Sequence, residues 1–97
     1  MTYKLLFLED ALKEWGKLDQ PTKTQFKKKL AKRLDQPRVE SSRLNGMEDC
    51  YKIKLRSVGY RLVYQVRDNE ITVSVVSVGK REKMPLIKRL QNAFSLN

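Results

Sequence analysis

The tightest constraint on this chain lies in its middle, where three short alternating stretches follow one another with almost no room between them. Residues 51–56, 60–67 and 70–78 read YKIKLR, YRLVYQVR and EITVSVVSV. Each alternates at period two, and the last is rich in β-branched residues. Connections this short join antiparallel neighbours, because a parallel pair needs a crossover of a dozen residues or more. The segment predicts an antiparallel meander with one apolar face, which other parts of the chain must cover.

The flanking sequence supplies the cover. TYKLLFL at 2–8 reads as a strand with Tyr3, Leu5 and Phe7 on one face. Glu9 and Asp10 then open a short helix, where acids suit the positive end of the dipole, and Leu12, Trp15 and Leu18 give its stripe. Asp19-Gln20-Pro21 makes a turn, and Pro21 or Thr22 starts a second helix. Its apolar stripe is Phe26, Leu30 and Leu34, its remaining face is Lys23, Lys27, Lys28, Lys29, Lys32 and Arg33, and Pro37 ends it. Apolar residues thin out from Arg38 to Asp49, with a turn at Asn45-Gly46. Beyond Pro85, Leu86, Leu90 and Ala93, with Ile87 and Phe94 alongside, predict a C-terminal amphipathic helix. The order is β-α-α-β-β-β-α, an α+β fold in which an antiparallel sheet carries an N-terminal helical hairpin and a C-terminal helix. Residues 1–97 form a single domain, long enough for one modest core.

Hairpin parity decides which side chains share a face. To unite Tyr51, Ile53 and Leu55 with Tyr60, Leu62, Tyr64 and Val66, facing residues must have numbers summing to an odd value, such as Arg56 with Arg61. The first turn is then two residues, Val58-Gly59, or four. The second turn reads as Asp68-Asn69, with Arg67 facing Glu70 and with Ile71, Val73 and Val75 joining the core face. Thr72, Ser74 and Val76 fall on the other face, making it small and open there. Parity thus gathers Lys52, Lys54, Arg56 and Arg61 on one side of the sheet, with Lys80 and Arg81 leaving the neighbouring strand. No carboxylate balances them.

Two residues along a strand is about 6.6 Å. At that separation like charges repel by roughly 0.6 kcal/mol in water and about 2.5 kcal/mol at an effective dielectric of 20. An anion relieves the crowding. The whole chain points the same way, with 21 Lys and Arg against 11 acids and a net charge of +10, which favours a polyanionic partner.

Other classes are excluded or disfavoured. With no histidine in the chain, Ser-His-Asp and Cys-His catalysis, histidine metal ligation and paired-histidine ribonuclease chemistry are ruled out. No motif calls for a metal or other cofactor. Cys50 has no partner for an internal disulfide, which fits a reducing cytoplasm, and reads as a small semi-buried residue beside the strand. No apolar run approaches the roughly 18 residues of a spanning helix, and the N-terminus is too short and too quickly acidic for a signal peptide. The expectation is a cytoplasmic protein without membrane contact.

Phosphate is the natural ligand of convergent Lys and Arg side chains. The site could simply bind nucleic acid. Alternatively it could cleave RNA, letting a 2′-hydroxyl attack its own 3′-phosphate. That reaction needs a base, positive charge for the forming phosphorane, and an acid for the leaving 5′-oxygen.

The segments Leu44-Asn45-Gly46, CYKIKLRSVGYRLVYQV at 50–66, SVGKRE at 77–82 and ALKEW at 11–15 closely resemble the RelE-type toxins of bacterial toxin–antitoxin systems, in the RelE/ParE superfamily. The resemblance implies a microbial ribonuclease-like fold and a ribosome-dependent mRNA interferase. Such an endoribonuclease enters the ribosomal A site and cuts the mRNA there, leaving a 2′,3′-cyclic phosphate and a 5′-hydroxyl and inhibiting translation. On matching positions, Lys52 and Lys54 would serve as base and charge stabilisers, Arg61 would bind the scissile phosphate, and Arg81 would stabilise or protonate the leaving group. Arg56 and Lys80 would extend the RNA-binding charge, and Lys23, Lys27, Lys28 and Lys32 would contact 16S ribosomal RNA. A cognate acidic antitoxin would occlude or distort the site. The family's C-terminal tyrosine falls on Ile87 here, which can neither donate a proton nor stack as an aromatic ring. Two alternatives share parts of this pattern: a gyrase-targeting ParE-like toxin, and a non-catalytic RNA-binding module.

Overall fold

The computed structural model describes residues 2–80; the expected C-terminal helix, including Leu86, Ile87 and Leu90, and the motif residue Arg81 lie outside them. The meander forms as the alternation predicts. Strands β2 (Cys50–Leu55), β3 (Tyr60–Arg67) and β4 (Thr72–Lys80) are successive antiparallel neighbours. Strand β1 (Lys4–Phe7) adds to the far side of β4 and runs parallel to it, Lys4 opposite Thr72 and Phe7 opposite Val75, so the order is β1-β4-β3-β2. Tyr3 and Phe7 pack on the core, while Leu5, expected beside them, is 36% exposed at this edge.

Helices α1 (Glu9–Gly16) and α2 (Gln20–Asp35) cover one face. α1 packs on β4 through Ala11, Trp15 and the following Leu18, whereas Leu12, expected to face inward, is 54% exposed. The small Ala11 takes the inward position and turns Leu12 aside. Trp15 bridges Phe7 and Phe26, with ring centroids 5.2 and 6.1 Å away. α2 begins where predicted: the Asp19 carboxylate accepts the Thr22 N–H at 2.9 Å, and Pro21 occupies the first turn. That bond holds the Asp19 carboxyl below its usual range. Phe26 and Leu30 are buried against the sheet and Leu34 is partly so, as the stripe requires. Among the described residues no helix is long and apolar enough to cross a membrane.

The β2–β3 hairpin and the turn-proximal half of the β3–β4 hairpin keep the predicted parity but not every predicted pair. Leu55 faces Tyr60 and Lys54 faces Arg61, so the turn is the four-residue alternative, 56–59, and Arg56 leaves the ladder. Gly59, at φ +70°, donates its N–H to the Leu55 carbonyl at 2.9 Å and supplies the left-handed step. At the second turn Arg67 faces Thr72, not Glu70, because the chain makes a short 3₁₀ turn through Asp68–Glu70 before entering β4. Arg67 still meets Glu70, locally, at 3.5 Å.

The longer second turn puts Ile71 in a left-handed conformation (φ 49°, ψ 51°) and leaves it 40% exposed rather than in the core. A β-branched residue there is strained by about 1–2 kcal/mol. Ile71→Gly is expected to raise the denaturation midpoint, corresponding to about 1 kcal/mol in urea unfolding. A lowered midpoint would show that the isoleucine side chain compensates its backbone.

A bulge changes the upper half of the β3–β4 ladder. Val63 faces Ser77 and Tyr64 faces Val75, which leaves Val76 as the extra residue. Val76 packs with Val63, Met47 and Cys50 in a second small core on the side away from α1 and α2. The face expected to be open at Thr72, Ser74 and Val76 is therefore buried, these residues being 4%, 4% and 6% exposed. Cys50 is fully buried there rather than semi-buried.

The opposite end of the sheet is tied by charge. Arg38 donates to Asp49 at 2.8 Å and to Asp68 at 2.7 Å, and the Tyr3 hydroxyl donates to Asp68 at 2.7 Å. The start of β1, the segment after α2, the entry to β2 and the β3–β4 turn are joined in one network. The Tyr3 bond, then the Arg38 bond, hold the Asp68 carboxyl below its ordinary value of 3.8. A depressed folded pKa contributes stability above the unfolded value, and that contribution is lost as pH falls through the folded value. Asp68→Asn should therefore flatten the melting-temperature profile between about pH 5 and pH 2. An unchanged acid slope in that variant would remove Asp68 from the acid response.

Candidate nucleic-acid interface

Lys52 and Lys54 sit on the outer strand β2, their side chains half-buried, with Lys54 directly opposite Arg61 of β3. Facing side chains leave their Cβ atoms about 5 Å apart on the same side of the sheet, so two cations are held together by the backbone itself. Arg61 has room because Gly79 stands opposite it on β4, where an added Cβ would meet nothing within 4 Å. The Nε of Arg61 is buried and has no hydrogen-bond partner among the described residues. A donor stranded this way costs about 1–3 kcal/mol.

Where α2 passes the edge of β2, a cleft of about 670 Å³ opens between them, within the size range of small-ligand sites. Lys29, Lys52, Lys54 and Arg56 line it together with Gln25, Ser41, Ser42 and Leu55. No carboxylate is among them. Acids concentrate at the other end of the sheet, where Asp49, Asp68 and Glu70 pair with Arg38 and Arg67. Among the described residues, Lys52, Arg56 and Arg61 make no ion pair. Among the described residues charge is thus segregated along the sheet, with acids gathered at one end and cations at the other.

The site residues expected from the sequence are only partly united. Lys52, Lys54 and Arg61 share a face, and Arg56 reaches the cleft from the turn rather than from the strand. Lys80 faces Tyr60, not Arg61, because the bulge shifts the register by one before the strand ends. Lys27, Lys28 and Lys32 are exposed on α2 and Lys23 is half-buried; none of the four lines the cleft.

Arg33 was not singled out by the sequence reading. Its guanidinium donates to the Lys52 carbonyl at 3.3 Å, the Tyr64 hydroxyl at 2.8 Å and Ser42 Oγ at 3.2 Å. The Tyr64 hydroxyl in turn donates to the Pro37 carbonyl at 2.7 Å. One arginine thereby clamps α2, the segment at Ser42 and the β2 edge. The signal available in the sequence was the stripe Gln25, Lys29 and Arg33 at i, i+4 and i+8, a second helical face beside the apolar one.

The site offers no cysteine chemistry, since burial, and secondarily the Asp49 charge, push the Cys50 thiol up to about 11. Among the described residues no group of three His, Cys, Asp or Glu side chains stands ready to hold a metal. What remains is a cationic face suited to phosphate.

A compact α+β sheet with a cationic outer face is the architecture of a known class of toxins. Residues 5–85 match the family described as the ParE toxin of type II toxin–antitoxin systems. The chain is 60% identical over 83 residues to the mRNA interferase toxin RelE of Escherichia coli K12, a match spanning 86% of this chain and 87% of that protein. It superposes on a free-state E. coli RelE carrying two arginine-to-alanine changes with a TM-score of 0.89 and 53% identity, covering 96% and 98% of the two chains. The toxin in the intact E. coli RelBE toxin–antitoxin complex gives 0.81 and 59%, covering 84% and 99%. The chain belongs to the ParE/RelE family of type II toxins, and within it to the RelE type.

Proposed function

We propose that this protein is a ribosome-dependent mRNA interferase that cuts mRNA in the ribosomal A site and is neutralised by a cognate acidic antitoxin. The observation that carries the reading is the Lys54–Arg61 pair with Lys52 alongside, beside a cleft whose described lining holds no carboxylate, in a chain without histidine. The E. coli relative at 60% identity bears the name mRNA interferase, and the RelBE complex places a RelE chain with an antitoxin.

In this mechanism a lysine of the 52/54 pair takes the proton of the 2′-hydroxyl as its oxygen attacks the adjacent phosphorus. The other lysine and Arg61 stabilise the negative charge gathering on the phosphorane oxygens. Arg81, assigned by its place in the SVGKRE motif, protonates or stabilises the departing 5′-oxygen. The products are a 2′,3′-cyclic phosphate and a 5′-hydroxyl, and no metal or cofactor enters. Lysine is a poor base at neutral pH, so the rate depends on placement of the RNA by the ribosome. With Ile87 at the family's tyrosine position, stacking on the nucleotide is lost and turnover is reduced. Lys23, Lys27, Lys28 and Lys32 contact ribosomal RNA, and the protein acts in the cytoplasm.

Primer extension on mRNA in translating ribosomes tests the reading. Purified protein should give A-site cuts that disappear in Lys54→Ala and Arg81→Ala. Gyrase-dependent DNA breaks instead would establish a ParE-type target, and RNA binding with neither activity would leave a binding module. Brisk hydrolysis of naked RNA would sink the proposed mechanism.

A further inference from the structure

Catalysis at a single phosphate needs Lys52, Lys54 and Arg61, but the cationic cleft continues past them toward α2. Lys29 stands on its far wall, one helical turn before Arg33 on the same stripe. Lys29 is exposed, makes no ion pair among the described residues and has no role in cleaving the bond. Ser42 stands beside it with an oriented hydroxyl. Its Oγ accepts from Arg33 at 3.2 Å, so its own O–H is left to donate, and Ser42 lines the cleft.

A cation and a hydroxyl donor facing the same acid-free space suit a second phosphate. Arg33 reinforces the match. It is half-buried, it donates to three neutral oxygens, and among the described residues no carboxylate pairs with it, so its charge adds to the positive potential beside the cleft. The backbone of β2 fixes the spacing, because Arg33 holds the Lys52 carbonyl from the same side.

We infer that the cleft between α2 and β2 is a second phosphate subsite for RNA, in which Lys29 and Arg33-oriented Ser42 take the phosphate next to the one held at Lys54 and Arg61. The inference rests on the reading of this face as an RNA site and adds direction to it: the strand crosses the β2 edge and runs toward α2. The smallest ligand that fills both positions is a trinucleotide.

The test uses two uncleavable probes, 2′-O-methyl uridine dinucleotide and trinucleotide without terminal phosphates, which carry one and two phosphates. Each is titrated into the isotope-labelled full chain and followed by NMR at several salt concentrations. Wild type should bind the trinucleotide severalfold more tightly, with a salt slope steeper by about 0.7, the value for one added single-strand phosphate contact. Lys29→Gln should erase both differences while leaving dinucleotide affinity unchanged. Ser42→Ala should reduce the trinucleotide advantage and keep the slope, since it removes no charge. Lys13→Gln, on α1, should change neither. A wild type that binds both probes equally, or a Lys29→Gln chain that weakens both alike, overturns the subsite. A Lys29-dependent trinucleotide advantage in a protein that cuts nothing in ribosomes would overturn the nuclease reading and leave the subsite standing.

Discussion

Arg61→Met is expected to make the protein more stable and nearly inactive at once. The wild-type side chain carries a buried Nε with no partner and faces Lys54 directly. Methionine of similar length removes the stranded donor and the like-charge contact, and Gly79 leaves space for it. A gain of about 1 kcal/mol follows from the unsatisfied donor alone. In the proposed mechanism the same change withdraws a charge from the forming phosphorane, which costs about 10²–10³-fold when a preorganised donor is lost. Urea unfolding and single-turnover A-site cleavage, measured on one preparation, check the two halves. Loss of stability alongside activity would mean that Arg61 is a structural residue and that its orphaned Nε is tolerated for packing.

Phe26→Ala should have the largest effect on folding. Phe26 is 0% exposed, packs under Trp15 and lies between α2 and the sheet at the centre of the main core. Truncating a buried phenylalanine costs about 3–5 kcal/mol, a large share of the 5–15 kcal/mol typical of a domain's total stability. The loss should appear as a lower urea midpoint with the slope retained. A change below about 1 kcal/mol would mean that the helices close over the gap, since the cost depends on how well the site collapses. Because Phe26 faces the core and does not line the cleft, protein kept folded in the cold should retain its cleavage chemistry.

The period-two alternation of YKIKLR and YRLVYQVR could be read directly, because one face had to be apolar and a slip of one residue would reverse every side chain. Parity therefore places Lys52, Lys54 and Arg61 together from the sequence alone. It could not choose between turns of two and four residues, and so paired Arg61 with Arg56 where the chain pairs it with Lys54. The bulge at Val76 was invisible because EITVSVVSV alternates acceptably in either register. That one extra residue moved Lys80 away from Arg61 and buried Val76. Ile71 misled for a similar reason: its β-branched side chain reads as strand core, yet tertiary closure of the turn holds it left-handed. The cleft was legible only in part. Its charge was evident from composition, but Lys29 on α2 and Ser42 in the following segment line one cleft with β2 because Arg33 ties α2 to the Lys52 carbonyl and to Ser42.

The parallel pairing of β1 with β4 has a consequence for synthesis. Residues 4–7 are made well before their partners, residues 72–75. Contacts so distant in sequence are slow to form. The nascent chain must carry β1 without its sheet partner until β4 has been made, while α1 and α2, built from local contacts, can already be in place. Lys54 and Arg61 likewise meet only when the β2–β3 hairpin closes. The cationic face therefore matures after β1, α1 and α2 have been made, so a chain that stops short of β3 does not yet carry the Lys54–Arg61 pair.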